Sequence, residues 1–103
     1  MPFGVVWHTT ADSDLNALAS KDAVAASQVL DEIYGTLAID PVAVALRPSF
    51  PHPLLPKFQF WVNATGGRFH VTVLFRYLPN ETDIEIRAIG WVFVSDDENY
   101  PFG

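Results

Sequence analysis

The chain has 103 residues, twelve acidic against six basic for a formal charge of −6, and half of its residues are hydrophobic. That length and apolar content suit one domain, residues 1–103, with a modest core of its own. The acidic balance argues against a generic nucleic-acid surface, the lack of cysteine excludes thiol catalysis and cysteine-ligated zinc, and no apolar stretch approaches a membrane span.

The N-terminus lacks the charged start and long apolar run of a secretory signal, which makes the cytoplasm the expected location. Phe3 to Thr9 is a short β-branched, apolar run and reads as a strand. Thr10 to Ser20 reads as a first helix, with Thr10, Asp12 or Ser13 as N-cap and Leu15 and Leu18 on one face. A second helix is expected from about Ser20 to Leu37, because Val29, Leu30, Ile33 and Leu37 recur at helical spacing. Asp40-Pro41 is expected to end the helical region.

Residues 47–57 hold four of the eight prolines and cannot be a helix interior or a central strand. They read as a stiff connector, with Phe50, Leu54 and Leu55 turned to the core. Three β runs follow, separated by Asn63-Ala64-Thr65-Gly66-Gly67 and Pro79-Asn80-Glu81-Thr82-Asp83. Phe69, Val71, Val73, Phe75 and Tyr77 alternate with Arg68, His70, Thr72, Leu74 and Arg76, so one face of this strand meets a core and the other is open. A polar, then aromatic, tail occupies residues 95–103. The expected fold is α+β: two N-terminal helices on one face of a mostly antiparallel four-stranded sheet, in the order β-α-α-β-β-β.

Function on such a sheet belongs to its outward residues. Arg68, His70 and Arg76 share one parity, as do Lys57, Gln59, Trp61 and Asn63 on the preceding strand. Glu85, Arg87, Ile89 and Trp91 share one on the last strand. Pointing the same way, they offer a histidine, several cations, a carboxylate and two indoles able to hold a phosphate and stack a base. The plainer reading is that Glu85 pairs with Arg76 or Arg87, and that Trp61 and Trp91 fill a second small core or meet another protein. His8, His52 and His70 have no short ligand spacing, so no metal or other cofactor is expected. Gly66-Gly67 precedes no helix and is a turn rather than a phosphate loop.

The segments VVWHTTADSDLNAL, the helical pair closing at Asp40-Pro41, and GRFHVTVLFRY followed by a polar turn and IEIRAIG resemble the RelE/ParE-type toxins of bacterial toxin–antitoxin systems. The resemblance covers roughly Val5 to Trp91. It implies a toxin or toxin-derived protein, a cognate antitoxin as partner, and a macromolecular target reached through the open sheet face. Any enzymatic activity it implies is that of a ribosome- or RNA-directed endoribonuclease. In that case His70, Arg76, Arg87 and Tyr100 are the catalytic candidates, and Lys57, Gln59, Trp61, Arg68 and Trp91 the target-binding ones. The chain departs from the family where it is acidic and where Ala88-Ile89-Gly90 continues into Trp91-Val92-Phe93 rather than into His and Arg. A non-catalytic protein-interaction module, dimeric through its sheet and aromatic tail, is the alternative.

Overall fold

The computed structural model describes residues 2–46 and 55–96. Its order is β1 (Gly4–Trp7), α1 (Thr9–Lys21), α2 (Ala23–Glu32), a π-helical turn (Ile33–Leu37), α3 (Pro41–Val44), β2 (Lys57–Ala64), β3 (Gly67–Tyr77) and β4 (Asp83–Ser95). The expected β-α-α-β-β-β order is present, with α3 added. The four strands form one sheet in the order β1-β4-β3-β2; β1 is parallel to β4 and the other pairs are antiparallel.

The alternation in β3 becomes burial of one face: Phe69, Val71, Val73 and Phe75 are buried, with Phe75 at zero exposure. On them pack Leu18 from α1, Ala25, Ala26 and Val29 from α2, and Ile33 and Leu37 from the π-helical turn. Burying side chains of this size is worth about 1.5–3 kcal/mol each, which lets a chain without disulfides hold its fold.

The helix ends differ from expectation. His8, not Thr10, Asp12 or Ser13, caps α1: its Nδ1 accepts the Thr10 N–H at 3.1 Å. The second helix starts after Asp22, whose Oδ1 accepts the Ala25 N–H at 3.0 Å while its backbone is extended. The stripe of Val29, Ile33 and Leu37 is buried, but its last turn widens so that the Ala38 N–H reaches Ile33 O. Asp40-Pro41 opens a helix rather than closing one. Asp40 Oδ1 accepts the Ala43 N–H, and Pro41 stands in the first turn, where a missing N–H costs nothing.

Thr65 and Gly66 alone make the β2–β3 turn, since Ala64 pairs with Gly67; Gly66 takes φ +76°. In the β3–β4 turn, Asn80 Oδ1 accepts both the Thr82 and Asp83 N–H groups, and Glu81 sits at φ 64°. Residues 47–54 of the proline-rich connector and the tail from residue 97, with Tyr100, lie outside the described residues.

Candidate functional site

One residue decides which side chains of β4 face the open side. Leu74 pairs with Ala88 and Phe75 with Ile86, so Arg87 between them has no partner in β3. This β-bulge shifts the alternation by one place. Before it, Ile84 and Ile86 face the core; after it, Ile89, Trp91 and Phe93 stand opposite Val73, Val71 and Phe69 on the helix side. Ile89 is buried and Trp91 packs against the core. The shared parity expected for Glu85, Arg87, Ile89 and Trp91 is therefore corrected. Glu85 and Arg87 belong to the open face; Ile89 and Trp91 do not. The skip was visible in IEIRAIGWVF, where apolar residues fall at 84 and 86, then at 89, 91 and 93.

The open face carries two clusters. Toward the β2–β3 turn, Trp61 lies directly opposite His70, ring centroids 4.7 Å apart, and the Arg68 guanidinium stands 4.4 Å from the Trp61 ring centre. Trp61 remains 49% exposed, so the stack is open to a ligand. Beside it Gln59 Nε2 donates to Thr72 Oγ1 at 3.1 Å, and Val92, the neighbour of His70 on β4, is exposed. Sequence reasoning missed Val92 because the bulge hides its parity.

At the other end, Glu85 Oε1 accepts from Arg76 Nε at 2.7 Å and from Arg87 Nη1 at 2.9 Å. The hydrogen bond from Arg87, then that from Arg76, holds the Glu85 carboxyl below its ordinary range. Two guanidiniums on one carboxylate leave a net positive group. Leu74, nearly buried, separates it from the first cluster.

The catalytic candidates do not converge. His70 and Arg76 are six residues apart on one extended strand, about 20 Å at ~3.3 Å per residue. Arg87 sits level with the Leu74–Phe75 step, about 15 Å from His70 by the same measure. Lys57 is half-buried at the start of β2, where its backbone bridges to Leu46. Tyr100 lies outside the described residues.

Among the described residues shallow cavities also lie elsewhere, one of about 260 Å³ between α2 and the β2 end and one of about 270 Å³ beside Phe3 and Thr82. In the first, Asp22 and Gln28 are already committed, to the Ala25 and Asn63 N–H groups. Among the described residues no His, Asp or Glu group is placed to hold a metal ion, and no helix is long and apolar enough to cross a membrane.

No family model and no curated protein matches the sequence. Among solved structures, the fold is similar to a chain of the toxin–antitoxin complex RelBE2 from Mycobacterium tuberculosis. The TM-score is 0.66 at 20% identity, over 87% of this chain and 91% of that one. Helices on one face of a four-stranded mixed sheet, superposing over 87% of the chain, give this protein the α+β fold of that chain of the complex.

Proposed function

We propose that this chain is the toxin-type component of a bacterial toxin–antitoxin pair, that it acts by binding a macromolecular target through the open face of its sheet, and that a cognate antitoxin protein silences it. The observation that carries this reading is the RelE-type fold joined to a sheet face that no helix or strand among the described residues covers and that holds an exposed Trp61–Arg68–His70 stack. Cation and indole together suit a flat, anionic ligand such as a nucleotide of RNA. The separation of His70 from Arg76 and Arg87 favours a binding surface over a cleavage centre.

Tightly controlled induction in a bacterial host tests this. Growth arrest by the parent chain, relieved by His70→Ala or Arg87→Ala, is the expected result. Soluble protein that leaves growth unchanged contradicts it and favours the second reading, a non-catalytic interaction module. That reading draws on Glu85, which engages both the Arg76 and the Arg87 guanidinium in ion pairs.

A further inference from the structure

Gly4, Gly67 and Gly90 all stand in strands, and the first two have a reason within the chain. A Cβ at Gly4 would run into the Asp83 carboxylate, and one at Gly67 into the Val94 carbonyl. Gly90 has no such reason. Its backbone stays out of the left-handed region, and among the described residues a Cβ built on it meets nothing within 4 Å. A glycine inside a strand weakens it, and marks places where a ligand or another backbone comes close. Whatever Gly90 makes room for lies outside the described chain.

Gly90 is exposed on the open face, at the end of the cross-strand row Gln59–Thr72–Gly90. This row descends from the long Gln59, through half-buried Thr72, to a position with no side chain. Along it runs the row Trp61–His70–Val92, whose indole is 49% exposed and carries the Arg68 guanidinium. The result is a low strip at Thr72 and Gly90 with an aromatic wall on one side. Gln59 Nε2 donates one hydrogen to Thr72 Oγ1 at 3.1 Å. Among the described residues its second N–H and its carbonyl oxygen are left for a ligand.

We propose that Thr72 and Gly90 form the floor of a seat for one unpaired nucleobase of a single-stranded RNA, and that Gly90 sets its depth. The base lies over the low strip beside the His70 and Trp61 rings. Its polar edge meets the Gln59 amide, which offers one donor and one acceptor. The phosphates next to it run toward Arg68. The seat presupposes the target-binding role of the open face and adds which part of the target enters it, and where.

Three features select this occupant. A flat ring with a hydrogen-bonding edge uses both the aromatic wall and the amide, whereas an aliphatic side chain would use neither. The phosphates find Arg68 without an opposing charge, because residues 57–80 and 87–95 contain no carboxylate despite the acidic balance of the whole chain. The seat takes a ring face, which a single strand exposes and a stacked duplex hides.

Fluorescence anisotropy of the full chain tests the seat with three labelled probes. These are a single-stranded oligoadenylate, an RNA duplex with as many phosphates, and an abasic ribose-phosphate oligomer of the same length. The parent is expected to bind the oligoadenylate about tenfold or more tighter than either control. Gly90→Val fills the floor: oligoadenylate binding should weaken about tenfold while abasic binding stays unchanged. Its thermal midpoint should hold or rise, because valine favours a strand and its Cβ meets open space. Arg68→Ala should weaken all three probes. Equal oligoadenylate binding by the parent and Gly90→Val overturns the seat, and if Arg68→Ala still weakens binding the open face remains the binding surface. A loss in Gly90→Val that extends equally to the abasic oligomer overturns it as well. So does a parent that binds none of the probes; growth arrest on induction then decides the toxin reading separately.

Discussion

Asp14 on α1 accepts the backbone N–H of Ile89 on β4 at 2.9 Å, two residues past the bulged Arg87. The bond ties the first helix to the sheet where the ladder is irregular, and satisfies a donor that faces away from β3. Asp14→Ala leaves that N–H unpaired in a partly buried place and should lower stability by about 1–3 kcal/mol in urea denaturation. Asp14→Asn keeps an acceptor oxygen and should lose less. An equal loss for both would assign the effect to charge rather than to the hydrogen bond.

The parity switch at Arg87 can be read chemically, because the chain has no cysteine of its own. Gly90→Cys should react rapidly with a thiol reagent, since a side chain there meets open space. Ile89→Cys, buried on the helix side, should react only as fast as the protein opens. Similar rates at the two positions would remove the bulge from the account.

Glu85 couples stability to acid. Its carboxyl is held below the ordinary value of 4.5, first by Arg87 and then by Arg76. A depressed folded pKa adds stability that is present above the unfolded value and is lost as pH falls through the folded one. The thermal midpoint of the parent should therefore fall more steeply below pH 4.5 than that of Glu85→Gln. Parallel profiles would mean that the two arginines do not hold the carboxylate in solution.

The hairpin turns make opposite predictions. Gly66 occupies the left-handed region at φ +76°, and Gly66→Ala should cost about 1 kcal/mol. Glu81 occupies it at φ 64° with a side chain that resists it, and Glu81→Gly should gain up to about 1 kcal/mol. Chemical denaturation of the two variants checks both signs.

Much of this fold is written in local pattern. The period of β3 fixed its core face, and the spacing of Val29, Ile33 and Leu37 fixed the buried side of the second helical segment. What failed were interruptions. The break between the two helices, expected near Ser20, falls at Asp22, because the Asp22 side chain caps the helix that follows. The proline at position 41 suits a helix start as well as an end, and only the Asp40 cap decides between them. Trp91 changed sides because one unpaired residue reverses every position beyond it, and strict alternation carries no such step. The residues of the open face were legible one by one. Their distribution into two clusters was not, because separation along a strand appears only once register is known.

The central claim is that the open sheet face is the working surface of a toxin-type protein. It is tested most directly by growth after induction of three soluble chains: the parent, Arg68→Glu, and Asp31→Lys as a charge change on exposed α2. The account predicts arrest by the parent and by Asp31→Lys, and recovery with Arg68→Glu. Equal arrest by all three would contradict it.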